Sequence, residues 1–186
     1  MIIKIFKILK TEISQFFFTI IQSYPDGSIG SRIRKNYWTK RLRNCGVKSV
    51  FQNGSSIGFP EKIDIGCEFF LGSNSLITAG HSEGIFIGDY VQIARGTFLH
   101  ASNHNIDDIN IPIMQQGTSS AKIDFNNKIY SIVIKDDVWI GSKCILLSGT
   151  YLEKGCVVSA GSVVSGKFDP YSVIAGNPAR VIKKRK

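Results

Sequence analysis

The stretch Ile134-Lys-Asp-Asp-Val138-Trp-Ile140-Gly-Ser-Lys-Cys144-Ile-Leu146-Leu-Ser-Gly-Thr150-Tyr-Leu152-Glu-Lys-Gly-Cys156-Val-Val158-Ser-Ala-Gly-Ser162-Val-Val164 places a branched aliphatic residue at every sixth position without a slip. Four residues after each comes a small or β-branched side chain, at Val138, Cys144, Thr150, Cys156 and Ser162. A helix would space its apolar residues three and four apart, and a half-buried strand two apart. An unbroken period of six fits neither and is a repeat. It describes a short flat strand and a tight corner, made again and again.

The physical reading is a mainly β chain, a parallel β-solenoid in which each hexad forms one face of a prism and three hexads make one coil. Successive coils hydrogen-bond about 4.8 Å apart along the axis. Large aliphatics fill the interior, and the small residue sits where the corner leaves little room. Upstream, the same register is firm at Ile65, Leu71 and Ile77, and again at Ile87, Ile93 and Leu99. Weaker hexads begin at Phe51. Ile87 comes ten residues after Ile77, and Ile134 comes thirty-five after Leu99. Both interruptions follow a third hexad, so the short excursion 79–84 and the long excursion 101–131 leave the prism at one corner and are expected to stack on one edge. A loop as long as the second is more often functional than idle. Pro112, Gln116 and Gly117 among apolar neighbours predict that it is ordered.

At 186 residues and 43% hydrophobic content the chain reads as one globular domain with appendages. Residues 1–48 are expected to form a basic amphipathic helical segment, 49–170 the solenoid with its loop, and 171–186 a basic extension. The four cysteines Cys45, Cys67, Cys144 and Cys156 form no CxxC pair and read as structural thiols of a reducing cytoplasm.

The net charge of +9 is concentrated at the ends. Residues 1–48 hold ten Lys/Arg against two acids, residues 180–186 hold five and none, and the body between holds eight against twelve. A nucleic-acid binder carries its basic stripe on the folded body, so nucleic acid is not the expected partner. Anionic lipid or an anionic cofactor fits better.

In residues 1–22, Ile and Phe alternate with Lys4, Lys7 and Lys10 at roughly helical spacing. The uncharged run from Ile13 to Pro25 is too short to span a bilayer, and a secretory signal is a poor fit. Two readings stand: peripheral membrane contact on the cytoplasmic face, or packing on the solenoid or a neighbouring chain. Tyr24-Pro-Asp-Gly27 predicts a turn. A second helix is predicted over Ser28 to Asn44, with Ile29, Ile33, Tyr37 and Leu42 on one side and Arg32, Arg34, Lys35, Lys40, Arg41 and Arg43 on a solvated or lipid-facing surface.

The hexad pattern resembles the hexapeptide-repeat acyltransferases, whose repeat reads aliphatic, Gly or acidic, two variable, small, variable. The resemblance covers residues 51 to 183 in architecture. It implies a left-handed β-helix, an exception to the usual right-handed crossover, and a homotrimer with active sites between subunits. Val138-Trp-Ile-Gly-Ser142, Ser159-Ala-Gly-Ser162 and Ala175-Gly-Asn-Pro-Ala-Arg-Val-Ile182 resemble the family's acetyl-CoA-binding coils and C-terminal signature. Carried over residue by residue, Trp139 would line the pantetheine groove, and Ser142 and Ala160 would offer backbone groups to the pantetheine amides. Ser165 stands where the family often has Thr, and Arg180 and Lys183 would face the nucleotide phosphates. The alternative for residues 180–186 is a solvated tail.

His104 lies seventeen residues after Ile87, where the galactoside and maltose acetyltransferases carry their general base. Asn103-His104 also resembles the streptogramin acetyltransferases. Asn74 falls at an acceptor-contacting position of the sugar enzymes; the alternative is a polar corner residue. Where those enzymes place an acidic acceptor ligand, the short excursion offers only Glu83, which leaves the acceptor open. Asp107, Asp108 and backbone carbonyls compete to orient His104.

The resemblance thus implies an acetyl-CoA-dependent O-acetyltransferase acting on a sugar or surface-glycan precursor, with no metal. An imidazole with a pKa of about 6.5 suits the proton transfer. The alternatives are an N-acetyltransferase or streptogramin-type acetyltransferase, a γ-class carbonic-anhydrase-like site recruiting His81, His100 and His104, and a non-catalytic scaffold.

Overall fold

The computed structural model describes residues 2–186, with side chains at residue 9 and from residue 11 onward. The sequence reading of Met1, and of the side chains of residues 2–8 and Lys10, lies outside the described residues.

Three parallel sheets run along the molecule. Face one is built from Asn44–Cys45, Ile63–Ile65, Ile85–Ile87, Ile132–Ile134, Tyr151–Leu152 and Lys167–Phe168. Face two runs through Val50–Phe51, Phe70–Leu71, Gln92–Ile93, Trp139–Ile140, Val157–Val158 and Ser172–Gly176, and face three through Ser56–Gly58, Leu76–Thr78, Phe98–His100, Ile145–Leu147 and Val163–Val164. Five complete three-sided coils and part of a sixth result. The final strand, Ala179–Lys184, turns back antiparallel on Ser172–Gly176.

The aliphatic of each hexad points inward. Ile134, Ile140, Leu146, Leu152, Val158 and Val164 are all fully buried in one core cluster that runs the length of the prism. Each such side chain contributes about 1.5–3 kcal/mol relative to exposure. The corner comes three residues later: Asp137, Lys143, Gly149, Gly155 and Gly161 all have left-handed φ between 57° and 88°. The small residue follows it, and its preference for a hydroxyl has a local cause. Thr150, Ser162 and Ser172 each donate to the carbonyl three residues back, at 2.7 Å, which closes the corner. Cys144 and Cys156 occupy the same position as buried free thiols, and burial pushes both up in pKa.

Two helices, α1 (Ile2–Ser23) and α2 (Ser28–Thr39), lie against the first coil. Trp38 and Leu42 close the core beside Phe51 and Ile57, the covering that the end of a solenoid requires. The predicted second helix ends five residues earlier than Asn44. The Arg43 N–H is claimed by the Pro60 carbonyl at 3.0 Å, and Asn44–Cys45 already pairs in parallel with Asp64 and Ile65.

The polar face of that helix is also corrected. Arg34 is fully buried rather than solvated, while Ile29 and Ile33 are exposed. A buried guanidinium is tolerable only when its donors are satisfied. Arg34 donates to the carbonyls of Phe51 (2.8 Å) and Tyr24 (2.6 Å) and pairs with Asp26, stapling the helix pair to the first coil. Arg43 stays exposed, as expected, but also pairs with Asp64 at 2.5 Å.

The two excursions meet on one edge, as the hexad count requires. Ser131 N–H donates to the Gly84 carbonyl at 2.8 Å, and Glu83 N–H to Ser131 Oγ at 3.2 Å. The returning leg of the long excursion forms a hairpin, Ile123–Phe125 with Lys128–Tyr130, that the periodicity did not announce. It covers face one, with Phe125 against Phe86 (4.7 Å between centroids) and Tyr151 (6.3 Å). At its root the Tyr130 hydroxyl donates to Asp64 Oδ2 at 2.6 Å.

Candidate active site

The outgoing leg of the long excursion starts as a two-residue strand. Asn103–His104 pairs antiparallel with Thr118–Ser119, placing His104 opposite Thr118 with its side chain exposed. The segment between is ordered from within, as Pro112, Gln116 and Gly117 predict. The Gln116 amide donates to the carbonyls of Asp108 (2.8 Å) and Ile111 (2.7 Å) and accepts from Asp108 N–H, and Asn105 Nδ2 donates to the Gln116 carbonyl at 2.9 Å. The Asp108 carboxylate is taken by Asn110, N–H and side chain both. It closes a turn of the loop rather than orienting His104.

The other two histidines stand apart in role. His100 lies on face three with its ring 5.2 Å from Phe98, and its buried Nδ1 has no hydrogen-bond partner among the described residues. His81 is exposed beside Phe59. Among the described residues no group of three His, Cys, Asp or Glu side chains could hold a metal ion.

Face two carries a groove of about 950 Å³, walled by Trp139, Val157 and Val173 and bordered by Ile182, Lys183, Lys184 and Lys186 of the C-terminal strand and tail. Two of the tail cations are committed to the fold. Lys184 donates to the Pro170 carbonyl (2.9 Å) and Ser172 Oγ (3.0 Å), and Arg185 binds Asp137 Oδ2 (3.0 Å) and the Gly155 carbonyl (3.1 Å). Lys183 and Lys186 border the groove with no side-chain partner among the described residues. Arg180 folds onto the adjacent Ala179 carbonyl at 2.9 Å and does not line the groove.

Ser142 and Ala160 stack in successive coils at the edge between faces two and three. The Ser142 carbonyl accepts from Gly161 N–H at 2.9 Å, while the backbone of Ala160 makes no hydrogen bond among the described residues. Asn74 is an exposed corner residue on the same edge, with φ 56°.

Ser165 and the long excursion lie at the edge between faces three and one, and in a three-sided prism that edge is opposite face two. One chain therefore gathers Trp139 and Lys183, and sets Ser142, Ala160 and Asn74 along a neighbouring edge. It holds His104 and Ser165 on the far side. Ser159, which opens the quoted Ser159-Ala-Gly-Ser162 motif, borders the groove, as do Val157, Val173 and Lys186, which sequence reasoning did not single out. The outward alternation of face-two strands next to Trp139 was the available signal for the two valines.

A family model described as bacterial transferase hexapeptide (six repeats) matches residues 131–166. WbbJ of Escherichia coli, provisionally named a lipopolysaccharide biosynthesis O-acetyl transferase, is 30% identical over 168 residues, covering 76% of this chain and 80% of that protein. The chain belongs to the hexapeptide-repeat acyltransferase family.

Other members share parts of it. A provisionally named acetyltransferase of Mycobacterium tuberculosis is 37% identical over 101 residues, and a chloramphenicol acetyltransferase of Klebsiella aerogenes 33% over 108. Each match covers 54% of this chain, and it spans 31% of the first relative's length and 51% of the second's. Among solved structures, a hexapeptide-repeat-containing acetyltransferase from Vibrio cholerae superposes with a TM-score of 0.71 at 26% identity, covering 93% of this chain and 90% of that one. A galactoside acetyltransferase in complex with coenzyme A gives 0.71 at 21% identity, covering 91% and 78%, a likeness of fold. The fold here is a left-handed β-helix of hexapeptide repeats.

Proposed function

We propose that the chain transfers an acetyl group from acetyl-CoA to a hydroxyl of a sugar or surface-glycan precursor, in a homotrimer whose active sites lie between subunits. The observation that carries this reading is the division of the site. His104 stands at the edge opposite the Trp139 groove, so base and groove meet only when a second copy sets its face two beside the first chain's long excursion. Face three supports such an assembly. Its outward ladder of Leu76, Phe98, Ile145 and Val163 is apolar and in register, and the unpartnered His100 Nδ1 lies on the same face.

The groove fits the co-substrate. Trp139, Val157 and Val173 offer an apolar wall for the pantetheine arm and the free backbone of Ala160 a partner for its amides. Lys183 and Lys186 offer cations for the phosphates, which a lysine meets as a point charge. Arg180 would have to leave the Ala179 carbonyl to join them. The likeness to WbbJ favours oxygen acylation of a glycan, and the likeness in fold to a galactoside acetyltransferase holding coenzyme A supports the co-substrate.

A hydroxyl is a weak nucleophile near neutral pH. In this reading His104 takes its proton as the oxygen attacks the thioester carbonyl. The C–O bond forms, the C–S bond breaks, and the imidazolium returns the proton to the leaving thiolate, with no acyl-enzyme. Backbone N–H groups would stabilise the intermediate oxyanion. Asn74 would contact the acceptor.

The likeness to a chloramphenicol acetyltransferase favours a second reading, in which the acceptor is a xenobiotic hydroxyl. Thiol release from acetyl-CoA, measured against sugars, nucleotide sugars, amino sugars and antibiotics, separates the readings. With the true acceptor, His104→Ala is expected to lower turnover by about 10²–10⁴-fold. Release indifferent to every acceptor and to His104 would sink the enzymatic reading.

A further inference from the structure

We propose that α1 is a membrane-surface anchor whose outer stripe, Leu9, Ile13, Phe16, Phe17 and Ile20, docks on a bilayer with anionic headgroups. These five side chains are 51%, 55%, 65%, 57% and 46% exposed. Their spacing of four, three, one and three puts them on one helical face. The opposite face is already used. Phe18 packs on the rings of Tyr37 (5.5 Å) and Trp38 (5.9 Å), and the Gln22 carbonyl accepts from Gly54 N–H at 2.9 Å. The stripe therefore faces away from α2 and the first coil. No helix among the described residues is long and apolar enough to cross a membrane, so the helix lies in the interface plane rather than through it.

Charge chooses the occupant. Residues 1–48 contain ten Lys/Arg and only Glu12 and Asp26 as acids. Asp26 is consumed by Arg34, whereas Arg43 and Lys48 pair with acids of the solenoid. Arg32 and Lys40 are exposed with no acidic partner among the described residues, and Arg41 is exposed with its guanidinium over the Tyr37 ring. A second copy docked on the stripe would set two such basic segments against each other. An anionic bilayer covers the apolar face and neutralises the cations together.

The test is flotation of the purified full chain with vesicles of phosphatidylcholine alone and of phosphatidylcholine mixed with phosphatidylglycerol. We expect binding to the mixed vesicles that is about ten-fold weaker on the neutral ones and falls as salt is raised. The double variant Phe16→Glu/Phe17→Glu should weaken binding by at least about ten-fold. Ile13→Ser should shift it the same way by less, with helicity by circular dichroism and oligomeric state by light scattering unchanged in both. Absence of wild-type flotation, equal binding to both vesicle types, or a smaller oligomer in the variants would each overturn the proposal. The last outcome would show the stripe to be a contact between chains. Acetyl transfer to a soluble acceptor is measured in parallel, and its presence or absence bears on the proposed function alone.

Discussion

Tyr130→Phe removes one hydroxyl and leaves the ring that packs on Phe86, 5.7 Å away between centroids. The lost hydrogen bond is a 2.6 Å contact to Asp64 Oδ2, and such bonds to a charged group contribute about 1.5–3 kcal/mol. Asp64 keeps its partners on Arg43, Nε at 3.0 Å and Nη2 at 2.5 Å. The loss should therefore lie near the lower end, about 1.5 kcal/mol, or roughly 3–6 °C in melting temperature for a chain of this size.

The pH dependence gives the sharper test. Burial and the bond to Asp64 push the Tyr130 hydroxyl up to about 12. A raised folded-state value means that its contribution is fully present below the unfolded phenol's pKa of about 10 and is lost as pH rises through about 12. The phenylalanine variant has no such group, so the wild-type advantage should narrow between those limits. Burial alone would raise Asp64, but the Arg43 and Tyr130 hydrogen bonds and the Arg43 charge outweigh it and hold the carboxyl below its usual range. Its contribution is present above about pH 4 and is lost as pH falls through the lowered value. Thermal melts of both proteins at pH 7, 9 and 11 are the assay. A gap near zero at neutral pH, or one that widens on the alkaline side, would refute the reasoning.

Gly141→Ala would place a Cβ 2.6 Å from the Ala160 nitrogen and 2.9 Å from the Val158 carbonyl oxygen, both backbone of the next coil. Urea denaturation should show a loss of more than about 2 kcal/mol. Gly161→Ala meets nothing within 4 Å but has φ +74°, and should cost only about 1–2 kcal/mol. Gln116→Ala removes the amide that ties Asp108 to Ile111. Because that loop stands outside the prism, melting should change by less than about 3 °C while acetyl transfer falls by at least about ten-fold. Equal losses of stability and turnover would mean that the loop is part of the fold rather than of the site.

Periodicity made the interior legible because every inward position obeys one rule. A coil can hydrogen-bond to the next only if each aliphatic faces the axis, so Ile134 through Val164 announce their own burial. Counting hexads also placed both excursions on one edge. The rule stops where the repeat stops. The hairpin Ile123–Phe125 with Lys128–Tyr130 has no hexad to mark it, and the end of α2 was set by Pro60 and Asp64, distant in sequence. Arg34 read as solvated because arginine is rarely buried. It is buried because the carbonyls of Tyr24 and Phe51 and the carboxylate of Asp26 converge on it.

For the candidate site, the resemblance to the hexapeptide-repeat acyltransferases singled out His104, Trp139 and Lys183 without coordinates. Their separation across the prism was not legible, because which edge a loop leaves by has no bearing on chemistry until the three faces are closed. Only the tertiary structure showed that Lys184 and Arg185 are spent on the fold, that Arg180 turns away, and that α1 keeps an apolar stripe in water. The sequence by itself determined the stacked three-sided coil, since a period of six fits neither a helix nor a lone half-buried strand. Tertiary structure decided which charges stay free and which surfaces stay bare, because those depend on partners the chain meets only after it has wound.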